Sequence, residues 1–387
     1  MPPFDVIGLQ RGAVPPFDFF GSHSANLDRP PRDENPLTFF VMKPKARSCA
    51  IQGMPRTPAI AFFCTLGLLL LAGCGGSEDG LAPAAEPAVS PPLEERPAGR
   101  VIPIGNKPEG LVADPETRLL AVGLTNPDLL ALVDMDTLEV VRWIPMPESP
   151  RHLRLARPGG PVLVPAERSD QVIEVFLPGG RLRPTGVGDF PHDAASDGRG
   201  RLFVGDEGGD TLTVVENGRR VKRLSAPVQP GGVVTSEDGG QVAVVGVSER
   251  ALELFDSRSL RRLGKIDAGV GPTHVVARDK RFFVVDTRGD GLLEILTEPE
   301  LRIHRRTPLP GAPYGVTADP VRKRFWVTLT ETNEVVELTD RRQLRSFPTV
   351  RQPNTVAVDP ATGRVFVASR KDGTLQIIDP PPFDGDG

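Results

Sequence analysis

A proline recurs seven times at nearly constant spacing along this chain, and no other feature restricts the possible folds as much. The anchors are Pro108, Pro150, Pro191, Pro230, Pro272, Pro313 and Pro353, separated by 42, 41, 39, 42, 41 and 40 residues. They head the segments KPEGLVADP, SPRHLRLARP, FPHDAASDG, QPGGVVTSEDG, GPTHVVARD, APYGVTADP and QPNTVAVDP. A fixed period of about 40 residues marks a repeat architecture, in which each unit buries its apolar surface against its neighbours. Each period reads as short strands rich in Val, Leu, Ile and Phe, which suit half-buried sheet. In the last period these are residues 354–358, 364–368 and 374–378, with Asp359-Pro360-Ala361-Thr362-Gly363 as a turn. A more polar fourth strand follows, such as 221–224 after Asn217-Gly218, a pair suited to a tight hairpin turn. Four strands in about forty residues predict one blade of a β-propeller.

The seventh period stops at Pro380-Pro381-Pro382 before any fourth strand, whereas residues 100–105 form a strand-like segment ahead of the first anchor. Pairing 100–105 with 374–378 would close the ring and satisfy two open sheet edges. The expected fold is therefore all-β: a seven-bladed propeller of four-stranded blades over 100–387, sealed by its N-terminal strand. The segments RVFVASRKDGTLQIID and KRFWVTLTETNEVVELTD resemble the YVTN-type repeat of YncE-like and surface-layer propellers. That resemblance spans 100–387 and implies the fold while implying little about activity. Thr and Asn after the second strand follow the signature only in part.

Ahead of the repeats, residues 59–71 are apolar but for one Thr and one Gly, with Arg56 before them and Leu71-Ala72-Gly73-Cys74 after. A basic flank, a short apolar stretch and a small-residue cleavage site read as an export signal. The stretch is shorter than the roughly 20 residues a membrane span needs. Leu-Ala-Gly-Cys resembles the bacterial lipobox, which implies cleavage before Cys74 and acylation of that cysteine. Several acyl chains anchor stably where one would not. Residues 75–99, rich in Ala, Pro, Glu and Gly, read as a solvated, disordered tether (74–99 with the cysteine). An extracytoplasmic, envelope-anchored protein is expected. Gly75 after the cysteine would direct a Gram-negative lipoprotein to the outer membrane.

The charge of -4 and pI near 5.9 argue against nucleic acid, since such domains carry a strongly basic face. Cys49, Cys64 and Cys74 are the three cysteines, so the repeats hold no disulfide and no thiolate metal site. HExxH, GxSxG, P-loop and GxGxxG motifs are absent from the sequence. Asp286-Thr287-Arg288-Gly289-Asp290-Gly291 begins like a calcium loop, but arginine at its third position opposes a cation. Trp143 and Trp326 fall on strands and are expected to pack.

In such a blade the loop entering strand one and the loop joining strands two and three lie on the same face. The residues after each anchor proline then ring the mouth of the central channel. The candidate ligand-binding set is Glu109, Arg151, His152, His192, Asp193, His274, Tyr314 and Asn354, containing three of five histidines and the only tyrosine. Second loops add further charges, Glu167, Glu207 and Arg370 among them. Histidine titrates near neutrality and suits a ligand or acid–base site. The slot two after proline, however, also holds Gly110, Gly232 and Gly315, so histidine there is equally a residue of the repeat.

A tethered binding or scaffold module for a protein, glycan or small molecule is the leading expectation, as a monomer without cofactor or metal. Proline-led repeats also resemble virginiamycin B lyase-like propellers. That likeness implies a lyase or lactonase using a divalent metal near Glu109, His192 and His274. A likeness to the propeller subunits of amine dehydrogenases implies a redox accessory, but no haem, copper or iron–sulfur ligand set is present.

An export signal beginning beyond residue 50 is anomalous, and translation from Met54 would give an ordinary 54–73 leader, with 1–53 a spurious or disordered extension; Met42 is the second choice. Peptide mapping of the unprocessed precursor is expected to find nothing upstream of Met42. A peptide spanning Met1 to Met42 would overturn this start.

Overall fold

A computed structural model of the chain describes residue 81 and residues 83–382. The export signal, Cys74 and the extension at 1–53 lie outside the described residues. The apolar strands form seven four-stranded antiparallel sheets. One blade illustrates all: Pro191–Ser196, Arg201–Asp206, Thr211–Glu216 and Arg219–Ser225 pair in chain order. First strands of successive blades neighbour one another all the way round the ring. The protein is a seven-bladed β-propeller. The only helical segment among the described residues is the 3-10 turn Glu167–Ser169.

The ring is sealed as its broken last period requires. Arg100–Pro103 pairs antiparallel with Thr374–Ile378, matching Ile102 to Leu375 and Val101 to Gln376. The closing strand ends at Pro103, two residues short of the expected 105. Gln376 locks the seam, its amide donating to the carbonyls of Ala98 and Pro348 and its oxygen accepting from Val350 N–H.

There is no single central core. Seven apolar layers lie between adjacent blades; Leu120, Val122 and Val133 of the first, for example, meet Phe366, Leu375 and Ile377 of the last. Strands sandwiched between two blades are covered on both faces, so Leu119–Leu124 is buried at every position and shows no alternation. Outermost strands carry the charge, as in the largely exposed Arg219–Ser225, and a charged edge resists pairing with other chains. Trp326 is packed as expected, whereas Trp143 lies on an outer strand and is 49% exposed. On the face opposite the channel mouth, Asp114, Asp319 and Asp359 are fully buried and accept backbone N–H groups of their own turns. This is the local reason for Asp at those positions.

One expectation needs correction. Residues 83–99 do not behave as a solvated tether but lie against the disc as a strap. Arg288 donates to the carbonyls of Pro83 and Ala84, and Ala88 N–H donates to Thr330 Oγ1. Ser90 is buried, accepting from Gln352 N–H and donating to Thr330 O, while Asn333 donates to Pro91 O. A segment poor in large apolar groups is held here by backbone hydrogen bonds to side chains on the disc, a source of order that composition does not show.

Removing the chain through Pro103 strips the seam and leaves 374–378 as an open edge. Its cost is expected to exceed that of Phe366→Ala in the adjoining layer, itself about 3–5 kcal/mol. Chemical denaturation, with light scattering for aggregation, will show whether the seam dominates.

Candidate functional site

Directly after the anchor prolines the inner strands are irregular. Register shifts occur at Pro191/Asp193, Pro230/Gly232, Pro272/Val275, Pro313/Val316 and Pro353/Thr355. A bulge inserts an extra residue and re-aims side chains. Such shifts mark five of the seven inner strands, while in the first two blades the residues after the proline precede the regular pairing. Glu109, Arg151, His152, Asp193, His274, Tyr314 and Asn354 line one cavity of about 80 Å³, with Arg154 at its base. Six of the seven blades contribute. His192, the remaining expected residue, stands behind His152 with ring centroids 4.2 Å apart.

Arg154 was not among the expected residues, and it lines both this cavity and the wider one beyond it. Its Nε lies 3.0 Å from Asp193 Oδ1, while its Nη2 lies 2.9 Å from Asp193 Oδ2 and 2.9 Å from Val275 O. Asp193 also accepts Ala194 N–H and Val233 N–H. This one ion pair therefore joins blades two, three, four and five. Beyond it, the channel widens into a 440 Å³ funnel walled mainly by aliphatic side chains, with Arg154 its only charged lining residue. The signal for it was available: four residues after each anchor stand Val112, Arg154, Ala195, Val234, Val276, Thr317 and Ala357, and only one is charged.

Two glutamates from second loops complete the mouth. His192 Nδ1 lies 3.0 Å from Glu167 Oε1 and 3.1 Å from Glu207 Oε2. Burial opposes its charge, but these hydrogen bonds outweigh burial and push its pKa up to about 9. Glu207 is likewise desolvated, yet its bond to His192 holds it below the usual carboxylate range. The neighbouring histidines go the other way. Desolvation, reinforced by the His192 charge, keeps His152 well below its ordinary value. Desolvation brings His274 down to about 4, even with Asp193 opposing the shift. Burial raises the Tyr314 phenol, which stays a neutral hydroxyl. Arg151 bridges Glu109 at 3.4 Å and Glu167 at 3.2 Å, and Arg370 reaches Glu109 at 3.2 Å.

The mouth does not suit a divalent metal. Among the described residues no group of three or more His, Cys, Asp or Glu is placed to hold one.

Fold and site together define a seven-bladed propeller with a polar mouth, its charges largely paired, at one end of the central channel. No family model matches this chain, and no curated protein matches it. Solved propellers do. Hydrazine synthase of Kuenenia stuttgartiensis superposes with a TM-score of 0.62 at 18% identity, covering 71% of this chain and 96% of that one. A streptogramin B lyase gives 0.62 at 12% identity, with 73% and 96% covered. Virginiamycin B lyase from Staphylococcus aureus gives 0.61 at 13%, with 72% and 98% covered. At these identities the likeness establishes the fold alone.

The three histidines should titrate apart by NMR, His192 near pH 9 and His274 near pH 4. Glu167→Gln or Glu207→Gln should each lower the His192 midpoint by about one pH unit. For His192, raised on folding, the stability it adds is full below about 6.5 and lost as pH rises through 9. For His274, depressed on folding, stability is full above about 6.5 and lost as pH falls through 4. Denaturation midpoints measured from pH 4 to 9 should therefore peak near 6.5; a monotonic profile would contradict the assignment.

Proposed function

We propose that this chain is a membrane-tethered, extracytoplasmic binding module that takes its ligand at the channel mouth. The convergence of side chains from six blades on one recessed polar cavity carries this reading. A concave site with a few convergent polar groups is the usual form of a ligand pocket. Rigidity supports it too: the cavity floor is a clamped ion pair and its walls are inner strands. Tethering rests on the Leu71-Ala72-Gly73-Cys74 sequence. Anchoring to an envelope membrane, with the disc on its extracytoplasmic side, follows from acylation of Cys74. The metal-dependent lyase expected from proline-led repeats is not carried forward, because the donor set at the mouth does not fit the ion.

In a bacterial host, the full chain is expected to take up a labelled fatty acid and sediment with membranes. Cys74→Ser should lose the label and shift most of the protein to the soluble fraction. Unchanged sedimentation without label would remove the lipid anchor from the proposal.

A further inference from the structure

The charges that line the cavity are paired with one another, and its other polar side chains are neutral, with only the exposed strap residue Glu86 left over. Its cations are Arg151, Arg154, His192 and Arg370; each pairs with one or two of Glu109, Glu167, Asp193 and Glu207. Four cations face four carboxylates, and Glu207 takes a further bond from Gln229 Nε2 at 2.7 Å. The strap places Glu86, solvent-exposed, near Tyr314. A charged ligand would have to break one of these pairs and leave its partner desolvated, which costs more than a neutral contact returns.

The groups with free hydrogen-bonding capacity are of another kind. His274 Nδ1 donates to Tyr314 O at 3.1 Å, which fixes the tautomer and leaves Nε2 as a bare acceptor. Asn354 Oδ1 accepts from Gln352 Nε2 at 3.0 Å, leaving two donors on its own Nδ2. Tyr314 Oη and both ring nitrogens of His152 have no partner among the described residues. Donors and acceptors are thus interleaved around the cavity. A carboxylate or phosphate, which only accepts, would oppose His274 Nε2. An ammonium, which only donates, would oppose Asn354 Nδ2. A hydroxyl does both. The His274 and Tyr314 rings meet edge to face at 4.6 Å and His152 lies 5.3 Å from His274, which adds flat apolar surface to the polar groups.

We infer that the mouth recognises a neutral, hydroxyl-rich ligand, a sugar ring or the uncharged end of a glycan, through Asn354, His274, Tyr314 and His152. This rests on the reading of the mouth as the ligand site. Adjacent hydroxyls of a ring match adjacent donors and acceptors, and the C–H face of a ring suits the imidazole and phenol faces. An 80 Å³ cavity admits part of one ring, so the remainder projects outward past the strap.

The single tyrosine supplies a specific reporter: 3-fluorotyrosine labelling of the full chain gives one fluorine resonance, at Tyr314. The probes are glucose, N-acetylglucosamine and a chitin trisaccharide, against glucuronate and glucosamine as the anionic and cationic versions of the same ring. The neutral rings should shift the resonance saturably, with the charged rings at least tenfold weaker; a tighter trisaccharide identifies a glycan end, equal affinity a free sugar. Calorimetry should show binding reduced at least tenfold in Asn354→Ala and Tyr314→Phe but kept in Trp143→Ala, with thermal melts confirming that each variant is folded. Glucuronate or glucosamine binding as well as glucose would overturn the inference while leaving a ligand site at the mouth. If neither neutral nor charged probes move the resonance, both the inference and the reading it rests on fail. A response from neutral sugars that survives both mouth substitutions would place binding elsewhere and also overturn the inference.

Discussion

The molecule turns on the ion pair between Arg154 and Asp193. It is bidentate and largely buried, and its members also bond Val275 O, Val233 N–H and Ala194 N–H. Removing one partner from such a pair leaves an uncompensated buried charge, which is far more costly than its presence is helpful. Its effect is therefore on specificity of arrangement: four blades that otherwise touch only side by side are referred to a common point on the axis. Above that point the lining is rich in charged and polar side chains, and below it Arg154 is the only charge among mainly aliphatic ones. The two ends of the channel are chemically unlike, and Arg154 lines both.

Histidines in the mouth gain their separate characters from this frame. His192 sits between two carboxylates brought from different blades, and its retained proton in turn discourages charge on His152. Three imidazoles within a few ångströms thus occupy different protonation states at neutral pH. The cluster is a row with neutral His152 in the middle, the His192 cation on one side and neutral His274 on the other, which differs from three interchangeable ligands.

Much of the architecture was written in the spacing of the prolines, because a propeller blade is a local unit and its period survives any drift in detail. The seam was legible for the same reason, from one strand missing and one in excess. Seven of the eight proposed ligand residues could be placed on one cavity by counting one or two positions from each anchor. Arg154 lies further along the strand, at slot four, where it is the sole charge among Val, Ala and Thr. The bond of His192 to Glu167 and Glu207 was hidden for a different reason. Glu207 follows the second strand of the same blade as His192, but Glu167 comes from the preceding blade, and only the packing of the two blades sets that distance. The strap at 83–99 was misread because side chains elsewhere, at Arg288, Thr330, Asn333 and Gln352, supply its order. Trp143 was misread because strand membership does not tell an inner strand from an outer one.

The seam also imposes an order in time. Arg100–Pro103 is made before any blade, yet its only sheet partner, Thr374–Ile378, is among the last segments of the chain to appear. Contacts this distant in sequence form slowly, since a long loop must close before they stabilise anything. Until then the nascent molecule has two unsatisfied edges and a first blade without its final neighbour. The ring is thus a completeness check: a chain cut short anywhere before residue 374 keeps an open edge.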